Sequence, residues 1–192
     1  MLAVIAAAAL MLSACEVVAP PLTAAQLKQC RVAALGDSLT VGVKPHLEGA
    51  LAKKGCSLAW IDGKVSRKTG EGVDILAARA ANGDVPSVLI VGLGTNDRYE
   101  LAHFAARVAR VMTLANGRHV IWIDNAYQPV RGHVNQVLAD RARRYPNLTV
   151  MAWNGPYWAN PSWRSNDNIH ATPTGYAARA SLMADAAANV VK

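Results

Sequence analysis

The sequence predicts an α/β fold of three layers, α/β/α, on a five-stranded parallel sheet in the flavodoxin-like order 2-1-3-4-5. Three observations predict it. Short apolar, β-branched runs alternate with longer stretches of helical composition. Those runs are apolar almost throughout, as strands covered on both faces are. A chain of 192 residues is long enough to bury one substantial core and gives no sign of a second domain.

The strands are expected at 31–35, 57–61, 87–93, 119–124 and 148–153, and the helices at 45–54, 72–81, 100–115, 134–145 and 174–190. Right-handed crossovers would then cover both faces of the sheet. In such sheets ligands bind at the carboxyl ends of the strands, near the switch point between strands one and three. Residues 154–173 form a connection without clear periodicity, and a connection of that length in a compact domain points to function.

The amino-terminal region reads as an export device. Residues 2–12 form a continuous apolar run, shorter than the ~20 residues a membrane-spanning helix needs. Leu12-Ser13-Ala14-Cys15 resembles the lipobox of bacterial lipoproteins, in which cleavage before the cysteine leaves its thiol to carry the lipid. The expected organisation is a signal peptide at 1–14, a lipid-anchored tether at 15–29 with Pro20-Pro21 in it, and the domain at 30–192. The run lacks the usual Lys or Arg flank, and a simple secretory signal is the alternative.

With Cys15 lipidated, Cys30 and Cys56 remain as an even pair for an oxidising compartment, either bridged or as two buried thiols. No Cys-x-x-Cys or clustered Cys/His spacing suggests a metal, and none is expected. A net charge of +7 and a pI near 9.6 favour anionic surroundings such as acidic envelope polymers or phospholipid head groups. Nucleic acid is a poor partner for an exported chain, and the basic residues are scattered along helix faces.

Four short stretches carry the chemistry: Gly36-Asp37-Ser38-Leu39-Thr40, Lys64-Val65-Ser66-Arg67, Gly94-Thr95-Asn96-Asp97 and Asp167-Asn168-Ile169-His170. A serine hydroxyl attacks only when a base takes its proton, and the base needs a third group to fix its tautomer. Ser38, His170 and Asp167 suit those three roles, and the spacing of Asp167 and His170 lets one turn present both. His46, His103, His119 and His133 lack an acidic partner at useful spacing. Acyl transfer also needs donors for the developing oxyanion. Candidates are the Ser38 backbone N–H, a backbone N–H near Val65 or Ser66, and the Asn96 side-chain amide.

These blocks resemble those of the SGNH, or GDSL, hydrolase superfamily. The resemblance runs from Arg31 to the carboxyl terminus and includes Asp167-x-x-His170 with Gly175 downstream. It implies a serine esterase with catalytic Ser38, Asp167 and His170, an oxyanion hole of Ser38, Ser66 and Asn96, and no cofactor. The second block departs from the family, placing Ser66 where a glycine is usual, with Gly63 and Gly70 nearby. A backbone donor requires glycine only where φ is positive.

Residues 61–67 look most like the extracytoplasmic domains of bacterial cell-wall O-acetyltransferases, which are usually fused to a membrane acyltransferase unit that this chain lacks. Hydrolysis of short O-acyl esters of envelope carbohydrates, acetyl foremost, is therefore expected. Transfer to a cell-wall glycan, with a membrane protein supplying the acyl group, is the alternative. A lysophospholipase or thioesterase and an inactive glycan-binding module are the further readings. Val65, Arg67, Trp158 and Trp163 are candidates for binding substrate, and Arg67 and the tryptophans are equally read as surface or packing residues.

Overall fold

The computed structural model describes residues 18–192. Its strands are β1 Arg31–Gly36, β2 Ser57–Gly63, β3 Val88–Gly92, β4 His119–Ile123 and β5 Leu148–Met151. They form one sheet in the order β2-β1-β3-β4-β5 with every pairing parallel, as expected. The helices are α1 Ala24–Leu27, α2 Ser38–Ala52, α3 Thr69–Ala81, α4 Leu101–Ala115, α5 Gln128–Ala142, α6 Asn154–Ala159 and α7 Pro173–Val190, with a 3-10 turn at Pro161–Trp163.

Alternation along each strand divides the core in two. Ala33, Leu35, Leu89, Val91, Val120 and Trp122 face α3, α4 and α5 through Leu76, Phe104, Val108, Val134 and Leu138. Val32, Ala34, Val88, Ile90, Ile121 and Ile123 face α2 and α7 through Val43, Leu47, Leu51, Ala180 and Met183. Both faces are covered, which is why the central strands are apolar at every position after the first residues Arg31 and His119. Close approach on the second face depends on small residues: a Cβ on Gly42 would lie 2.1 Å from the Tyr176 ring, so α7 rests directly on the backbone of α2.

Two expectations are corrected. The second helix begins at Ser38, not Pro45, because Asp37 caps it; its Oδ1 accepts the Leu39 N–H at 2.9 Å. Pro45 lies inside the helix on its exposed side, where it removes one N–H from the helical hydrogen bonds. Within the expected tether, Ala19 and Pro20 are docked on the domain, whereas α1 Ala24–Leu27 has no buried residue. Ala19 is fully buried, its N–H donates to Leu114 O at 3.0 Å, and Asn116 and Arg118 side chains donate to the carbonyls of Ala19 and Pro20 at 2.8 Å each. The packed body thus takes in Ala19 and Pro20. The proposed signal at 1–14 and Cys15 lie outside the described residues.

Cys30 and Cys56 are joined in a disulfide across a separation of 26 residues, with Cα atoms 4.6 Å apart. It ties the start of β1 to the start of edge strand β2. Replacing both cysteines with serine is expected to lower the free energy of unfolding by about 3 kcal/mol on the loop-closure model. Urea denaturation would measure this, and an unchanged midpoint would contradict it.

Candidate active site

The register of the sheet brings three loops to one edge. Gly36, the last residue of β1, pairs with Gly63 of β2 on one side and Gly92 of β3 on the other. Glycine is required at Gly36, since a Cβ there would lie 1.9 Å from Thr40 Oγ1 and 2.6 Å from Gly92 O. The chain turns at once into α2, whose first residue is Ser38. Ser38 therefore meets the positive end of a helix dipole, and its N–H is among the orphan donors of the first turn.

The fourth stretch arrives from the β5–α7 connection, which is more ordered than its sequence suggests. After α6 and the 3-10 turn, Arg164 and Ala171 form an antiparallel bridge. The His170 carbonyl accepts from Ser165 N–H at 3.0 Å, Ser165 Oγ at 2.9 Å and Tyr157 Oη at 3.1 Å. Within this turn Asn168 adopts φ 55°, a left-handed conformation that asparagine tolerates. The result is a fixed platform: His170 Nδ1 is 2.6 Å from Asp167 Oδ2, and Nε2 is 2.9 Å from Ser38 Oγ.

Asp167 is the best-supported carboxylate of the site. Its Oδ1 accepts from Ser165 Oγ at 2.6 Å and from the Ile169 and His170 amides at 2.9 Å each. Partial burial pushes its pKa up, but the hydrogen bonds from His170, Ser165 and the two amides outweigh it and hold the carboxyl well below the usual range. Ser165 escaped the sequence reading, although a serine two residues before an aspartate in a turn is a recognisable hydrogen-bonding signal.

The other two loops are tied to this edge from beneath. Asn96 Nδ2 donates to Arg67 O at 3.1 Å, linking the β3–α4 loop to the β2–α3 loop and leaving its second hydrogen for another acceptor. Asp97, fully buried, accepts from the Thr69 amide at 2.9 Å and from the Thr69 hydroxyl. Lys64 N–H donates to Gly36 O at 3.2 Å.

Ser66 stands at φ 60°, in the left-handed region where the usual glycine is free of strain. Serine persists there at a cost of roughly 1–2 kcal/mol. Ser66→Gly is expected to raise stability by about 0.5–1 kcal/mol while keeping the turnover of esters within about two-fold, whereas β-branched Ser66→Val should disrupt the loop. Chemical denaturation and ester kinetics would check this. A large loss of activity in the glycine variant would assign a role to the hydroxyl instead of the amide.

One candidate for substrate contact is corrected. Arg67 is only 3% exposed and turned inward: Nη1 donates to Gly36 O at 3.0 Å and Asp62 O at 2.9 Å, and Nη2 pairs with Asp62 Oδ1 at 2.7 Å. It latches the second loop to the first, because a buried guanidinium must find acceptors and strand-end carbonyls supply them. Trp163 stacks on Trp153 with ring centroids 6.0 Å apart. Trp158 donates its indole N–H to Ala126 O at 3.1 Å and meets Tyr157 edge-on. Both tryptophans pack under a long connection, as indole rings commonly do, and both keep part of their surface exposed. Val65 remains 65% exposed next to the Ser66 amide.

No protein-family model matches the chain. It is 24% identical over 146 residues to the protein named "Putative peptidoglycan O-acetyltransferase YrhL" of Bacillus subtilis (strain 168), covering 75% of this chain and 22% of that protein. The chain therefore spans about a fifth of the length of the curated relatives it matches.

Among solved structures, it superposes on a lipase/acylhydrolase from Enterococcus faecalis with a TM-score of 0.71 and 17% identity, covering 83% of this chain and 95% of that one. For the C-terminal catalytic domain of Streptococcus pneumoniae peptidoglycan O-acetyltransferase A, solved with a methylsulfonyl adduct, the values are 0.65, 21%, 84% and 92%. For a family 3 carbohydrate esterase of Clostridium thermocellum they are 0.67, 15%, 81% and 93%. At these identities the likeness establishes the fold, which is the SGNH/GDSL fold that the four blocks imply.

Proposed function

We propose that the protein is a serine esterase that removes short O-acyl groups, acetyl foremost, from carbohydrates of the bacterial envelope. The observation that carries this reading is the hydrogen-bonded line from Asp167 through His170 to Ser38 Oγ. In the proposed reaction His170 Nε2 takes the Ser38 hydroxyl proton as Oγ bonds to the acyl carbon. The oxyanion meets the N–H groups of Ser38 and Ser66 and the free hydrogen of Asn96 Nδ2. The tetrahedral species then collapses, the alcohol leaves with the proton from His170, and the acyl group stays on Ser38. Water, deprotonated by His170, repeats the sequence and releases the acid.

The Cys30–Cys56 disulfide supports placement in an oxidising compartment, with Cys15 as the proposed lipid-bearing residue. Acylated glycan is the proposed substrate, since a curated relative and two structural neighbours are named for peptidoglycan acetylation or carbohydrate ester cleavage. The same names favour a second reading, in which the acyl group passes from Ser38 to a glycan hydroxyl instead of water.

Release of 4-nitrophenol from acetyl, butyryl and octanoyl esters would test the proposal. Turnover should fall as the acyl chain lengthens. Preference for octanoyl would point to a lipase or thioesterase, and turnover that rises only when a glycan acceptor is added would point to transfer. Absence of turnover, with no labelling of Ser38 by a sulfonyl fluoride, would leave a glycan-binding module.

A further inference from the structure

Beneath Ser38, between the carboxyl ends of β1 and β3 and the inner side of α7, lies a closed polar cluster that the proposed reaction does not use. Asp37 is fully buried and Arg179 only 2% exposed. The backbone of Asp37 and the side chain of Arg179 both lie against Gly92. The Asp37 N–H donates to Gly92 O at 3.2 Å, and a Cβ built on Gly92 would lie 3.6 Å from Arg179 Nη2 and 3.0 Å from Thr40 Oγ1. The Arg179 guanidinium also lies 4.7 Å from the centroid of the Trp153 ring. Asp37 Oδ2, Arg179 Nε and Arg179 Nη1 are buried without a hydrogen-bond partner. The two side chains share one buried cluster without a direct ion pair, and the attraction between them acts at a distance.

Stability alone does not account for such a pair. An apolar side chain of similar volume on α7 would serve the core as well or better, because a buried guanidinium and carboxylate rarely repay their desolvation. What the pair can do is set the charge of Asp37. Asp37 precedes Ser38 and caps α2, its Oδ1 taking the Leu39 N–H. A carboxylate makes that cap strongly, and a protonated acid much less so.

We propose that Arg179 is a positioning residue of the esterase site: from within α7 its guanidinium keeps Asp37 a carboxylate, and that cap fixes the first turn of α2 on which Ser38 stands. The inference rests on the esterase reading and names a further residue of the same site. Burial pushes the Asp37 carboxyl upward and outweighs the groups that oppose it, the Leu39 N–H first and then Arg179, Thr95 and His170, so the loss of any one of them would raise it further. Arg179, brought down to about 10 by burial and supported by Asp37, Tyr176 and Asp124, remains cationic at neutral pH. The charged or titratable groups around the pair are thus His170 from the β5–α7 connection, Tyr176 from α7 and Asp124 from the end of β4.

The test is the pH dependence of 4-nitrophenyl acetate hydrolysis by Arg179→Met and Arg179→Lys, with thermal unfolding in parallel. Ser38→Ala serves as the control. The methionine variant should lose kcat about ten-fold with little change in KM and move the acid limb upward by about one pH unit. The lysine variant should restore the limb, and in an Asp37→Asn background the Arg179→Met change should no longer move it. A folded methionine variant with wild-type kcat and limb would overturn the proposal. So would a limb moved equally with Asp37 absent.

If Arg179→Met does not fold, Arg179→Gln and Arg179→Lys decide: separate limbs support the role and coincident limbs overturn it. Activity surviving in Ser38→Ala would instead overturn the esterase reading itself, a result distinct from failure of the Arg179 role.

Discussion

Ser38→Ala is expected to lower kcat for ester hydrolysis by about 10⁴-fold or more, with the protein remaining folded. The magnitude follows from what the hydroxyl does in the proposed reaction. Without Oγ there is no acyl-enzyme, and only binding and the oxyanion donors remain to assist direct attack by water. Folding should survive because Ser38 is partly exposed at the first position of α2, while the cap that starts the helix belongs to Asp37. Burst kinetics with 4-nitrophenyl acetate, and the mass of the protein after treatment with a sulfonyl fluoride, would measure the effect. Labelling of the parent at Ser38 with none in the variant is the expected pair of results. Equal turnover by both proteins would remove Ser38 from the reaction and the esterase reading with it.

The second large effect is expected at Asp167. Asp167→Asn should reduce kcat by about 10²–10⁴-fold near neutral pH, because an amide in place of Oδ2 can hold His170 in the wrong tautomer and cannot stabilise its cation. The lower bound reflects exposure: the Asp167 side chain is 47% exposed, so solvent can replace part of its electrostatic support. The depressed carboxyl also has a definite consequence for stability. Its contribution is complete above the unfolded carboxylate value of about 3.9 and is lost as pH falls from there through the lower folded value. Stability between pH 5 and 9 (roughly the range in which carboxylates stay ionised) should therefore not change on account of Asp167. An activity loss for Asp167→Asn below about five-fold would show that His170 is oriented by its carbonyl contacts alone.

The periodicity of the chain was enough for the sheet and its order, because strands buried on both faces are apolar almost throughout, and alternating helices permit few topologies. Spacing was also enough to pair Asp167 with His170, since both fall within one turn. Helix boundaries were less legible. Pro45 resembles a helix start, yet the stronger signal was Asp37, an N-cap two residues before Leu39. The roles of long side chains were least legible. Arg67, Trp158 and Trp163 each pair a polar group with a large apolar or cationic body, and composition does not say which end meets solvent.

The sequence by itself determined the order of the blocks along the chain, and that order delivers Ser38, Ser66 and Asn96 to one edge of a parallel sheet because each follows a strand of known rank. It also supplied the cysteine pair. Only the tertiary structure decided that Arg67 latches two loops, that Ala19 and Pro20 dock on the domain, that Ser66 is left-handed, and that Arg179 and Asp37 are buried in one cluster beneath the serine. The physical reason is range. Periodicity and turn chemistry act over a few residues, whereas the partner of a buried charge is chosen by whichever distant segment packs against it, here α7 lying on α2 across more than a hundred residues of chain.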